Sequence, residues 1–263
     1  MDTIFQHFRK EEHGFIEQVF EYKRYVEDFY APKLLDFLDP RQVKIIEAII
    51  GKNEDVHFSV DGAFGGNVER VRGMLYPSYI VPVKDDFQLC VLGVRYASKF
   101  VQLKHPDVLG ALLHLGIDRT KFGDIRIDSE MVQFVVAQEV ADYVRANLTT
   151  IGKSKATIIE VSEQQLIGES NDPWLESVVT TSSLRLDTVI ASCYPSISRQ
   201  KAAMLIEAGR VKVNYTVREQ NAFELQEHDL LSIRGVGRLV LLSIEGHTKK
   251  EKIRLKIGKM ERK

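Results

Sequence analysis

The sequence predicts an α+β fold with a helical N-terminal region, a central βαββαβ domain and a C-terminal module of short helices and strands. Three observations support this. Apolar residues near the start recur at three- and four-residue steps, strand and helix patterns alternate between positions 88 and 162, and two short capped helices precede several strands after position 182. We expect domains at 1–75, 76–164 and 182–263, with a linker at 165–181.

The N-terminal region is predicted to be mostly helical. Its first helix is amphipathic, with apolar positions spread over residues 5–26. Asp39 followed by Pro40 predicts the start of a second helix, because Asp is a favoured cap and Pro fits the first turn. We expect that helix to end at Gly51, and the alternating residues 56–60 to form a strand.

The central domain combines two helices with four strands. Pro106 near the start of the first helix and Gly116 after its end support that helix. The order is the ferredoxin-like arrangement that RNA-recognition motifs share, but their base-stacking aromatic consensus is absent, so topology alone predicts no ligand. The expected elements are strand 88–96, helix 105–115, strand 124–128, strand 131–137, helix 138–148 and strand 156–162.

The linker and the C-terminal module follow. Trp174 is expected to dock the linker on a neighbouring element, with base stacking as the alternative. Ser182 or Ser183 is expected to cap a first helix, and Ser196 or Ser198 a second helix that stops at Gly209. Strands are predicted at 211–214, 230–234 and 238–244.

Charge is distributed unevenly along the chain. The 263 residues have a net charge of -1, which argues against a general nucleic-acid binder. However, residues 184–263 hold 16 of the 36 Lys and Arg but 9 of the 37 Asp and Glu, which gives +7 there and -8 elsewhere. An acidic body joined to a basic C-terminal module indicates a polyanion-binding end.

Three cations lie in the first turns of the two C-terminal helices, namely Arg185, Arg199 and Lys201. A helix N-terminus carries a partial positive charge, so each cation there costs roughly 0.3–1 kcal/mol. A bound phosphate reverses the sign, because backbone N–H groups, helix dipole and guanidinium can all face one anion. The alternative is that these cations are merely solvated surface charges. Arg210 and Lys212 at the following hairpin weaken that alternative, because they add further cations close in sequence to the two helix starts.

These residues resemble the S-four RNA-binding domain over about 184–245. The resemblance rests on Leu184-Arg185-Leu186-Asp187, on Ser198-Arg199-Gln200-Lys201-Ala202, and on Ile206-Glu207-Ala208-Gly209-Arg210-Val211-Lys212-Val213-Asn214. One departure is Tyr215, where many members have Gly. The resemblance implies that Arg185 and Arg199 contact RNA. The full set of expected RNA-binding residues is Arg185, Ser198, Arg199, Lys201, Arg210, Lys212, Asn214, Arg234, Arg238, Lys249 and Lys250.

The whole chain also resembles YlmH-like proteins. The matching segments are Asp61-Gly62-Ala63-Phe64, Glu69-Arg70, His105-Pro106-Asp107-Val108-Leu109-Gly110-Ala111-Leu112 and Thr248-Lys249-Lys250. This resemblance implies a cytoplasmic protein of ribosome-associated quality control that binds ribosomal RNA and tRNA on a large subunit still holding peptidyl-tRNA. It also implies a gene neighbourhood linked to cell division. We expect the acidic N-terminal region to offer a docking surface for a protein.

The last 15 residues, 249–263, hold eight basic and two acidic residues. Ile253, Leu255 and Ile257 alternate with Arg254 and Lys256, which predicts a strand with basic side chains on one face. We favour phosphate contacts for this segment over a merely solvated tail.

A catalytic function has less support in the sequence than RNA binding has. Arg185-Leu186-Asp187 superficially resembles the catalytic context of a pseudouridine synthase, but Asp187 falls inside a predicted helix. Gly235-Val236-Gly237 lacks the third glycine of a dinucleotide fingerprint, and no Cys-x-x-Cys or zincin-type His pair occurs. We therefore predict no catalytic residue, metal or cofactor; an RNA-modifying enzyme with its site in residues 1–165 is the alternative.

Two further expectations concern the chain as a whole. No apolar run is long enough to span a membrane. Cys90 and Cys193 are isolated in sequence, which favours two free buried thiols over a disulfide.

Overall fold

The computed structural model describes residues 5–6, 8–51, 55–66, 68–128, 131–168 and 174–261. The chain divides into two compact units, Met1–Ser170 and Asn171–Lys263. Helices and sheets are mixed throughout, which confirms the predicted α+β class. No helix within the described ranges is both long and apolar enough to cross a membrane.

The first unit opens with two helices and a three-stranded antiparallel sheet in the order β1-β3-β2. The two predicted helices and the predicted strand are present, while β1 and β3 were not foreseen. Asp39 caps α2 by accepting a hydrogen bond from the Gln42 amide at 2.9 Å. The elements are α1 (His13–Phe29), β1 (Lys33–Leu38), α2 (Pro40–Ile50), β2 (Val56–Asp61) and β3 (Val71–Pro77).

The central part of this unit contains all six predicted elements. Its sheet is antiparallel in the order β5-β6-β4-β8-β7, the ferredoxin-like strand order extended by one short strand. The elements are β4 (Leu89–Tyr96), α3 (His105–His114), β5 (Phe122–Ile127), β6 (Val132–Ala137), α4 (Gln138–Asn147), β7 (Thr150–Ile151) and β8 (Ser154–Glu160).

Both faces of this central sheet are covered. One face packs against α3 and α4, and on the other Phe37 and Phe64 pack against Val135 and Ala137. Gln133, also buried, donates to the Gln165 carbonyl at 2.7 Å. RNA-recognition motifs stack bases on the sheet face away from their helices. That face is occupied here, and the same packing joins the expected N-terminal and central domains into one unit.

The close approach of Gly123 to Phe37 provides a test of this packing. A Cβ at Gly123 would lie 2.6 Å from Phe37 Cε1, and Phe37 is fully buried. We expect Gly123→Ala to lower the free energy of unfolding by about 2 kcal/mol through overpacking, as measured by urea denaturation. Gly110→Ala is the matched control, because Gly110 lies in α3 with nothing within 4 Å and should be neutral or stabilising. Equal unfolding midpoints for the two variants would contradict the packing.

The second unit is a six-stranded sheet in the order β11-β10-β12-β13-β14-β9 with two helices on one face. The predicted helices and the strands after position 209 are all present. The elements are β9 (Leu175–Thr181), α5 (Leu186–Cys193), α6 (Arg199–Glu207), β10 (Val211–Val213), β11 (Thr216–Val217), β12 (Leu230–Ile233), β13 (Gly237–His247) and β14 (Ile253–Glu261).

The expected linker 165–181 differs from the structure in its second half. Residues 169–173 lie outside the described ranges, but Leu175–Thr181 is the edge strand β9, paired antiparallel with β14. The turn-rich residues 168–173 and the polar residues 180–183 predicted a linker, yet one face of an edge strand is free to remain in solvent. Trp174 packs beside Gly258 of β14, in agreement with its expected docking role.

Candidate nucleic-acid interface

The two helix starts of the second unit are built differently. Ser198 caps α6, and its Oγ accepts from the Lys201 amide at 3.2 Å, as predicted. The cap position of α5 is held by Arg185, not by Ser182 or Ser183 as expected. Here the Leu186 amide donates to the Phe223 carbonyl at 2.8 Å, so the neighbouring segment, rather than a serine, fixes the start of α5.

The carboxylate of Asp187 joins the two helix starts. Arg185 donates to it through Nε at 3.1 Å and Nη2 at 3.0 Å, and Arg199 donates through Nε at 3.0 Å. The Asp187 side chain is only 5% exposed. Burial alone would raise its pKa, but hydrogen bonds from Arg185, Arg199 and Thr188 outweigh burial and lower the pKa to about 2. We call Arg185, Asp187 and Arg199 the Arg–Asp–Arg cluster.

The Arg–Asp–Arg cluster determines which N–H groups of the two arginines can contact an anion. Their side chains are 39% and 60% exposed, so both guanidiniums reach solvent while Asp187 holds their inner edges. A guanidinium has five N–H donors, so donors remain for a phosphate after the contacts to Asp187. With one carboxylate between two cations, the cluster presents a net charge of +1 in a fixed geometry. Lys201 is exposed beside it and makes no ion pair in the described part of the chain.

The β10–β11 hairpin uses Asn214 structurally. Asn214 and Tyr215 have φ values of 48° and 67°, as a two-residue type I′ turn requires, so Tyr215 keeps a turn geometry that usually needs Gly. Asn214 Nδ2 donates to Asp229 Oδ1 at 2.7 Å, and its Oδ1 accepts from the Leu230 amide at 2.9 Å. Its amide group, expected to bind RNA, is thus directed into the module.

We expect Asn214→Ala to lower the free energy of unfolding by about 2 kcal/mol. The substitution removes the Asn214 hydrogen bond to the fully buried Asp229 carboxylate, which keeps the one from the Gln226 amide at 2.8 Å. It also removes the side-chain acceptor of the Leu230 amide and places Ala at positive φ. Urea denaturation measures the loss, and the salt dependence of RNA binding should keep its slope. A changed slope with unchanged stability would assign Asn214 to the RNA contact instead.

The other predicted residues lie in two further places. Lys212 and Arg238 share one face of the sheet, with Arg210 and Arg234 beside them. Lys249 and Lys250 are exposed in the turn between β13 and β14, at the far end of those strands from Arg238. Ten of the eleven expected residues therefore form three groups rather than one, and Asn214, with its amide directed into the module, belongs to none of them.

The basic C-terminal strand is present as β14, and its alternation is as expected. Leu255 and Ile257 are buried in the core, while Arg254 and Lys256 point to the opposite face. Both cations face carboxylates, with Lys256 2.8 Å from Glu176 and Arg254 3.8 Å from Glu245. Their charge is therefore partly neutralised within the sheet, and Arg262 and Lys263 lie outside the described residues.

Other side chains that could take part in catalysis or metal binding either have structural hydrogen-bond partners or are buried. Asp124 accepts from the Glu69 and Arg70 amides at 2.7 and 3.0 Å, and Asp61 accepts from the Ala63 amide at 2.6 Å. Cys90 and Cys193 are free and buried, and burial raises their pKa values to about 11 and about 12. Within the described ranges, no three His, Cys, Asp or Glu side chains gather as a metal site would require.

Sequence reasoning missed the role of Asp187. The available signal was the Arg-Leu-Asp triplet, which brings a carboxylate next to Arg185, but its contact with Arg199 depends on how the two helices pack. The sequence marks Asp187 as part of the S-four motif and, because it falls inside a predicted helix, as a poor catalytic candidate; neither interpretation predicts its contact with Arg199.

Comparisons with known proteins identify two domains and two relatives of the chain. Residues 82–165 match the family model of the YlmH RNA-binding domain, and residues 184–231 match that of the S4 domain. The chain is 44% identical over 258 residues to "Ribosome-associated protein quality control protein P2" of Bacillus subtilis (strain 168), covering 97% of this chain and 98% of that relative. It also resembles the solved structure "Cell division protein ylmH from Streptococcus pneumoniae", with 32% identity and a TM-score of 0.53 over 61% of this chain and 97% of that chain.

Proposed function

The chain belongs to the YlmH family, and we propose that it is a non-catalytic RNA-binding protein of ribosome-associated quality control. It acts in the cytoplasm on the large ribosomal subunit holding peptidyl-tRNA and contacts both ribosomal RNA and tRNA. The name of the Bacillus subtilis relative supports the pathway. The name of the Streptococcus pneumoniae structure supports the suggested link to cell division.

The Arg–Asp–Arg cluster is the observation that carries this proposal. It places two oriented guanidiniums at the starts of α5 and α6, where the helix dipoles also favour an anion, although the first amides of α5 already donate to the Phe223 and Asn221 carbonyls. Phosphate groups of an RNA backbone suit such a site, because the exposed guanidinium edges can form bidentate contacts.

A salt titration tests the proposal. If about five phosphates are neutralised, the logarithm of RNA affinity falls with the logarithm of salt concentration at a slope near -4. The protein should also co-sediment with isolated large subunits, and total RNA incubated with it should gain no new modified nucleoside. A flat salt response on structured RNA would refute RNA binding, and a new nucleoside would favour the enzymatic alternative.

The N-terminal region supplies a docking surface for a ribosomal protein in this proposal. Phe29, Tyr30 and Tyr79 are 68%, 71% and 66% exposed, and Tyr79 Oη donates to the Tyr30 carbonyl. Exposed aromatic side chains grouped in this way are typical of protein interfaces.

We expect Phe29→Ser to weaken binding to intact large subunits about tenfold but not to change binding to deproteinised ribosomal RNA. Phe100→Ser is the matched control, because Phe100 is 89% exposed and lies away from this group in the sequence. An equal loss on both substrates would place Phe29 at an RNA contact.

A further inference from the structure

The sheet of the second unit has two chemically different faces. Its inner face is apolar, and Val213, Leu231 and Leu239 are paired across three strands and buried with the helices. Side chains alternate along a strand, so the residues between these positions point away from the helices. The outer face is thus separated from the helix starts by the core.

A row of cations crosses this outer face. The register pairs Lys212 with Ser232, and Ser232 with Arg238, which places all three side by side without a carboxylate among them. Arg210 and Arg234 lie at the next position, where the Arg234 amide donates to the Arg210 carbonyl at 2.9 Å. In the part of the chain that the structure describes, Arg210, Lys212 and Arg234 are exposed and make no ion pair.

Trp174 lies over the same face. A Cβ at Gly258, on the outer side of β14, would be 3.4 Å from the Trp174 ring, and Gly258 is paired with Val240. The Arg238 guanidinium lies 5.9 Å from the centroid of that ring. The indole therefore stands next to the row of cations.

We propose that this outer face, the outer cationic face formed by Arg210, Lys212, Ser232, Arg234 and Arg238, binds the backbone of a second RNA segment. The inference rests on the proposed RNA-binding function and extends it to two separate contacts. A helix layer about 10 Å thick lies on the opposite side of the sheet, so one phosphate cannot reach both the cluster and this face. The module thereby holds two backbone segments at once.

RNA fits this face better than an anionic membrane does. Membrane-surface binding requires apolar side chains inserted next to the cations. The central row instead offers the Ser232 hydroxyl between two cations. Its apolar neighbours are Val217, which is paired with Lys212 and 44% exposed, and Trp174, which is packed beside Gly258 rather than free to insert. Hydroxyl and cationic donors in a row match successive phosphates and sugars of a nucleic-acid backbone.

Trp174 is the single tryptophan of the chain and reports on this face. The experiment uses the full-length protein and a fluorescein-labelled RNA hairpin, with anisotropy measuring total binding and tryptophan fluorescence measuring contact at the outer cationic face. We expect the hairpin to quench Trp174 in the wild type and in Arg185→Gln/Arg199→Gln, where quenching needs more RNA. Lys212→Glu/Arg234→Glu should still bind by anisotropy but lose the quenching, with a salt slope smaller by about 2.

The control is Lys153→Glu/Lys155→Glu, which makes the same change in net charge in the first unit and should behave as the wild type. The inference is overturned if Lys212→Glu/Arg234→Glu keeps full quenching, or if the wild type binds the hairpin with no change at Trp174. It is also overturned if only phosphatidylserine vesicles, and not the hairpin, respond to Lys212→Glu/Arg234→Glu. Failure of the proposed function itself would appear differently, as absence of hairpin anisotropy in the wild type.

Discussion

The double substitution Arg185→Ala/Arg199→Ala is expected to weaken association with large ribosomal subunits about 100-fold. Each substitution removes one charge-assisted contact between a guanidinium and an RNA phosphate. Each such contact accounts for about a tenfold change in affinity. Both side chains are exposed and already oriented by Asp187, so little is required to order them on binding. Co-sedimentation across a range of salt concentrations measures the loss, and the slope should decrease by about 2.

A second variant separates binding from folding. Arg185→Gln/Arg199→Gln removes both charges but keeps amide donors within reach of the buried Asp187 carboxylate, so its stability should stay nearer to the wild type. Arg24→Ala is the control, because Arg24 is exposed in α1 and has no ion pair among the described residues. If the Gln variant co-sediments as the wild type does, the cluster is not the RNA contact.

Removal of the central carboxylate should have the largest effect on stability. We expect Asp187→Ala to lower the free energy of unfolding at neutral pH by about 3 kcal/mol, since it removes three charge-assisted hydrogen bonds that the two arginines donate to this buried carboxylate. The RNA affinity should fall by about tenfold as well, because the arginines lose their orientation. Asp142→Ala is the control: Asp142 is 86% exposed in a surface pair with Arg145, and its loss should cost less than about 1 kcal/mol.

The effect of Asp187 on stability should depend on pH. The pKa of Asp187 is lowered to about 2 in the folded protein, so its ionised form stabilises the fold above the pKa of the unfolded chain, near 4. About 2 kcal/mol of this stabilisation is lost as the pH falls from about 4 to about 2. Urea denaturation at pH 7 and pH 3 should show the gap between wild type and Asp187→Ala narrowing at pH 3. If the difference in unfolding free energy between the wild type and Asp187→Ala is the same at both pH values, ionisation of Asp187 does not contribute to stability.

Elements with uninterrupted periodicity were predictable. All six elements of the central domain follow regular alternation or helical spacing, and the structure has each of them within a few residues. β1 was missed because a bulge between Leu34 and Phe37 interrupts its alternation. β9 was missed because its sequence, Leu-Glu-Ser-Val-Val-Thr-Thr, does not alternate between apolar and polar residues, and it forms a strand only by pairing with β14, about 70 or more residues away in sequence.

The sequence alone determined the α+β class, the family resemblance and the uneven division of charge. Each of these depends on local spacing and composition, which the order of residues carries directly. The two C-terminal helices and the cations at their starts were also predictable from the sequence alone.

Only the tertiary structure decided how the cations are arranged. Helix packing brought Arg199 onto Asp187, and strand register placed Lys212 and Arg238 on the face away from the helices. A shift of one residue in register would move those side chains to the opposite face, so their position depends on long-range pairing that no local pattern specifies. For that reason the cations of the basic C-terminal module, which are close in sequence, form three separate groups in the fold.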